Sequence, residues 1–88
     1  MDESESLLKF PCHIDVKVMG LADSKFEDLV LKIFRQHAPE VGTSDIRSRL
    51  SRSGKYVSVT IGIETTSREQ MDAIYRDLTE NEHVLMAL

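Results

Sequence analysis

Between residues 13 and 19 the chain alternates, with Ile14, Val16 and Val18 apolar and His13, Asp15 and Lys17 polar. A period of two marks a strand with one buried face. Pro11 stands where a strand can begin without losing a ladder hydrogen bond, and Gly20 ends the run. The period then changes. Phe26, Leu29, Val30, Ile33 and Phe34 recur at the spacing of one helical face, with Asp23 or Ser24 available as a cap and Pro39 as a stop. Alternation returns from Asp45 to Arg52 and from Lys55 to Ile63, and Ser53-Gly54 between them predicts a β-hairpin. A turn centred there sets Leu50 opposite Val57, Ser48 opposite Val59 and Ile46 opposite Ile61. Arg49 then faces Ser58 and Arg47 faces Thr60, so nearly every pair matches in polarity and a one-residue slip would destroy the match. Ser67 and Gln70 form a capping box ahead of Met71, Ile74, Tyr75 and Leu78, which predicts a second amphipathic helix. Residues 84–88 are apolar throughout, as in a strand covered on both faces.

The predicted order is strand, helix, strand, strand, helix, strand. This is the α+β, ferredoxin-like βαββαβ two-layer sandwich, an antiparallel sheet of order 4-1-3-2 with two helices on one face. Its helix-covered face is expected to take Ile14, Val16, Val18, Ile46, Leu50, Val57, Val59, Ile61, Ile63, Val84 and Met86. The opposite face then carries His13, Asp15, Lys17, Arg47, Arg49, Tyr56, Ser58 and Thr60 on one side, and Met19, Leu85 and Ala87 on the other. A face divided into cationic and apolar halves suits a partner, with Leu85 and Tyr56 as anchors and Arg47 and Arg49 setting orientation.

At 88 residues one domain is expected, over residues 9–88, with residues 1–8 as a flexible acidic arm bearing Asp2, Glu3 and Glu5. The net charge of −4 argues against a general electrostatic nucleic-acid binder, which needs a basic excess. The acidic start is unlike a signal peptide, and no apolar run approaches the ~18 residues of a membrane span. A single cysteine, Cys12, fits a reducing cytoplasm.

Several motifs share one order: Leu8-Lys9-Phe10-Pro11, Lys17-Val18-Met19-Gly20, His37-Ala38-Pro39, Gly54-Lys55-Tyr56-Val57-Ser58-Val59-Thr60 and Val84-Leu85-Met86. In these the chain resembles the YbeD-like small bacterial protein family, a domain of unknown function. The resemblance implies a fold like that of the ACT regulatory domains, and a role in small-molecule sensing or in pairing with an enzyme. It carries no catalytic residues. It also implies that a small effector, if one binds, sits near the loop of Gly20, Leu21, Ala22 and Asp23.

The remaining candidates for chemistry reduce to structural roles. His13 and His83 fall at opposite ends of the predicted sheet, on the order of 20 Å apart, so no metal site is expected from them. His37 suits a helix C-terminus. Cys12 has only His13 beside it, whose side chain points to the other face, and reads as a small hydrophobe at a strand edge. The carboxylates Glu64, Glu69, Asp72, Asp77, Glu80 and Glu82 gather around the second helix without the apolar enclosure that acid–base work requires. Edge strands also use cations for protection, which is the plainer reading of Arg47 and Arg49. The sequence therefore predicts a non-catalytic cytoplasmic module without cofactor, contacting a protein partner or a second copy through Lys17, Arg47, Arg49, Tyr56, Ser58 and Leu85. The alternative is weak nucleic-acid binding by the same face, where Tyr56 alone offers a ring for stacking.

Overall fold

The computed structural model describes residues 9–88. The arm expected over residues 1–8 lies outside these described residues. Strand β1 spans Cys12–Leu21, helix α1 Phe26–Arg35, strand β2 Ile46–Leu50, strand β3 Tyr56–Thr65, helix α2 Arg68–Glu80 and strand β4 Val84–Ala87. The sheet is antiparallel with order β2-β3-β1-β4, as the βαββαβ pattern requires.

The hairpin register is the predicted one. Ile46 faces Ile61, Arg47 Thr60, Ser48 Val59, Arg49 Ser58 and Leu50 Val57. Gly54 takes φ +77°, a left-handed conformation that glycine adopts without steric cost, and Ser51 Oγ accepts from Tyr56 N at 3.1 Å to close the loop. Asp45 does not begin β2. Its carboxylate accepts from Gly42 N at 2.9 Å and holds a 3-10 turn over Thr43–Asp45 in front of the strand.

Burial follows the periodicity. Val16, Val18, Val59, Ile61 and Ile63 of the sheet meet Phe26, Val30, Ile33 and Phe34 of α1 and Ile74 and Leu78 of α2. Ala38 and Val41, beyond the helical stripe, join that core. Thr65 is buried too, and its hydroxyl donates to the Cys12 carbonyl at 3.1 Å, which satisfies it. Asp23 prepares α1 by accepting from Lys25 N at 2.8 Å, one residue before a helix start that has no side-chain cap of its own. Ser67 caps α2 as expected, accepting from Gln70 N at 3.1 Å. The Gln70 amide does more than a capping box asks. Its oxygen accepts from Thr66 N at 2.8 Å and its nitrogen donates to His37 O at 2.7 Å, tying the start of α2 to the turn after α1.

Three expectations are corrected. Gly20 does not end the first strand, which continues through Leu21. Leu50 pairs on the Val57 side as predicted yet remains 61% exposed, because the hairpin end reaches past the helices. Third, β4 is not buried, and Met86 and Ala87 exchange the faces expected of them while Val84 keeps its own. Gly20 pairs with Val84 but Met19 pairs with Met86, so the register slips by one and Leu85 is left without a partner on β1. Such a bulge reverses the alternation beyond it. Val84 and Ala87 therefore pack against the core, whereas Met86 shares the free face with Met19.

A cationic depression on the free sheet face

Antiparallel pairing lines up side chains in rows across the uncovered face. One row runs Met86, Met19, Ser58, Arg49, and the next runs Lys17, Thr60, Arg47. Leu21 lies opposite Tyr56 at the hairpin end. The outward alternation of β1, β2 and β3 thus places Lys17, Arg49, Tyr56 and Ser58 together. With Met19, Leu50, Ser51, Arg52 and Val57 they line a shallow depression of about 460 Å³.

Among the described residues no carboxylate lines it. Among the described residues Lys17, Arg49 and Arg52 make no ion pair, so three cations face solvent on a chain whose net charge is −4. Arg47 differs, because its guanidinium lies 3.7 Å from the Asp15 carboxylate, which also meets His13 at 3.2 Å. Both groups of the Arg47 pair are mostly exposed, and such a pair contributes little stability while reducing the charge offered to a ligand.

Leu85 is not part of this site. It lines a second, more apolar depression of about 320 Å³ with Leu21, Phe26 and Leu29, bordered by Asp23, Lys25, Glu82 and His83. The loop singled out from the sequence is thereby divided. Leu21 and Asp23 line the depression, Gly20 is covered by the Phe26 ring, and Ala22 ties the loop to the hairpin by donating to Lys55 O at 2.8 Å. The bulge at Leu85, invisible to hydrophobic periodicity, is what sends that side chain here.

The histidines stay apart. His13 lies at the start of β1, His83 beside its end, and His37 Nε2 meets Asp77 at 2.5 Å between the helices. Among the described residues no group of three or more His, Cys, Asp or Glu side chains could hold a metal ion. Cys12 is half-buried, its Sγ 3.4 Å from the Thr65 hydroxyl.

Comparison with known proteins places this architecture. The family described as "Protein of unknown function (DUF493)" matches residues 5–88. The chain belongs to that DUF493 family. It is 39% identical over 85 residues to a UPF0250 protein of Paraburkholderia phytofirmans, covering 97% of this chain and 96% of that one. A UPF0250 protein of Neisseria gonorrhoeae is also 39% identical, over 99% of this chain and 96% of its own. These are the YbeD-like relatives that the motifs indicated. The solution structure of protein HP0495 from H. pylori superposes with a TM-score of 0.69 at 13% identity, over 92% of this chain and 85% of that chain. That likeness shows a shared DUF493-like fold, and none of these names describes a catalytic activity.

Proposed function

We propose that this DUF493 protein is a non-catalytic binding module whose free sheet face receives an acidic segment of a protein partner. The observation that carries the reading is the depression holding Lys17, Arg49 and Arg52, with no carboxylate lining it among the described residues. Met19 and Tyr56 provide apolar contact beside the charges, and an interface pairs a desolvated apolar centre with charges that set orientation. Two arginines offer planar, bidentate contact to carboxylates. The work is assigned to the cytoplasm, where a single unpaired thiol is kept reduced.

Regulation of ACT-like type is a second reading, and the depression at Leu21, Phe26 and Leu29 favours it. A concave apolar site with a few charged groups at its border is the usual form of a small-ligand pocket.

NMR titration with a peptide of alternating Glu and Leu, at two salt concentrations, tests the main reading. Shifts confined to Lys17, Arg49, Tyr56 and Ser58, lost in Arg49→Glu, are the expected result. Shifts at Leu21 and Leu85 instead would favour the small-ligand pocket as the working site. Tighter binding of a single-stranded RNA, with a steep salt slope, would replace the protein partner by nucleic acid. No shift on the sheet face with either probe refutes the reading.

A further inference from the structure

The sheet has two edges of opposite character. Strand β2 carries Arg47 and Arg49, and cations on an edge strand deter pairing with another chain. Strand β4 carries Val84, Leu85, Met86 and Ala87, with Leu88 following, and no charge at all. Leu85 is 58%, Met86 49% and Leu88 62% exposed.

Its main chain is equally open. Leu88 exchanges both backbone hydrogen bonds with Lys17, at 3.1 and 2.8 Å. In an antiparallel ladder the next residue then turns its N–H and C=O to the other side. Ala87 accordingly directs both groups toward the edge, where no strand pairs with β4 among the described residues. The apolar depression at Leu21, Phe26 and Leu29 adjoins this strand through Leu85. An unpaired backbone edge beside a side-chain pocket is the combination used in recognition by strand addition.

We infer that the β4 edge pairs with the β4 edge of a second copy of this chain, making a two-fold dimer with one sheet continuous across both molecules. Two observations select a second copy. An antiparallel match of an uncharged strand with itself brings no like charges together. The border of the neighbouring depression carries Asp23 and Glu82 together with Lys25 and His83, and a two-fold axis can oppose the acids of one copy to the bases of the other. This inference concerns an edge separate from the cationic depression, so it stands or falls independently of the proposed function.

Sedimentation velocity from about 10 to 500 µM tests it, because mass action makes a dimer concentration-dependent. The wild type should pass from monomer to dimer, and the Ala87 amide should exchange more slowly as concentration rises. Leu85→Lys, at an exposed position, should weaken association by about tenfold or more, with a melting temperature equal to the wild type's at concentrations where both are monomeric. Ala87→Pro should do the same by removing the outward N–H, whereas Arg49→Glu should leave the dimer intact. A wild type that stays monomeric across the range overturns the inference. So does an Ala87 amide protected equally at all concentrations, which would mean that another part of the same chain covers the edge. A folded Leu85→Lys protein that dimerises as tightly as the wild type overturns it as well.

Discussion

Replacing Gly20 by alanine probes the contact that closes the sheet against α1. A Cβ at that position would stand 2.3 and 2.5 Å from the Cε1 and Cζ carbons of Phe26, and 2.8 Å from the carbonyl oxygen of His83. Carbon atoms in favourable contact sit about 3.5–4.0 Å apart, so the ring would have to withdraw by roughly 1–1.5 Å. It can swing partly into the depression beside it, but the His83 carbonyl is main chain and cannot turn aside alone. Overpacking of this kind costs about 1–3 kcal/mol, and replacing a strand glycine recovers about 0.5–1 kcal/mol of backbone entropy. The net is then about 0–2.5 kcal/mol, and the approach to the immobile His83 carbonyl places it in the upper part, at about 1–2 kcal/mol. For a chain of this length that corresponds to a fall in Tm of about 5–15 °C. Calorimetry on Gly20→Ala, Phe26→Leu and the double variant gives the full cycle. The shorter side chain should relieve the clash, so the double variant should lose less than the sum of the single losses. A Gly20→Ala protein melting at or above the wild-type temperature, or strict additivity in the cycle, would refute the reasoning.

Two further outcomes rest on other parts of the molecule. Val59 is fully buried at the centre of the sheet, so Val59→Asp should abolish the cooperative melting transition, an unpaired buried carboxylate costing several kcal/mol of a total near 4–13 kcal/mol. A folded variant with a sharp transition would mean that the assigned core face is wrong. Burial pushes the Tyr75 phenol above its ordinary value of 10.0. The folded protein therefore keeps that proton where the unfolded chain releases it, and stability present below pH 10 should decline as pH rises beyond it. Urea titrations of the wild type and Tyr75→Phe above pH 10 should show the shallower decline in the variant, and identical slopes would exclude Tyr75 as the cause.

The features legible in the sequence were those governed by simple periods. Ile46, Arg47, Arg49 and Leu50 declare their partners because the turn at Gly54 and the polarity of these pairs agree on one register, which also carries the mismatched Ser48 opposite Val59. Ser67 and Gln70 announce a helix start through local hydrogen bonding, although nothing local reveals that the Gln70 amide also reaches His37. Lys17, Arg49, Tyr56 and Ser58 come together because alternation across three correctly ordered strands fixes them on one face. Met86 and Ala87 lie on the faces opposite to those expected because residues 84–88 are all apolar, and an apolar run contains no alternation to expose the bulge at Leu85. Arg52 shows in the sequence only as the end of an alternating run, since its place in the depression depends on the course of a loop. Leu50 shows the remaining limit, because facing the helix side of a sheet does not ensure that a helix extends far enough to cover the residue.

The strand order also governs how the chain can be assembled during synthesis. β1 and β2 emerge first, yet they are not neighbours, because β3 lies between them. Residues 9–55 thus contain two strands and a helix but no strand pair of the final sheet. The first ladder becomes available only when β3 follows the hairpin turn, and the same strand then captures β1, whose Cys12 meets Thr65 across 53 positions of sequence. Until β3 is made, the apolar faces of β1 and α1 lack the strand that joins β1 to β2. No pair of the final sheet is therefore possible before residues 56–65 are present, and those residues hold both β1 and β2 in place.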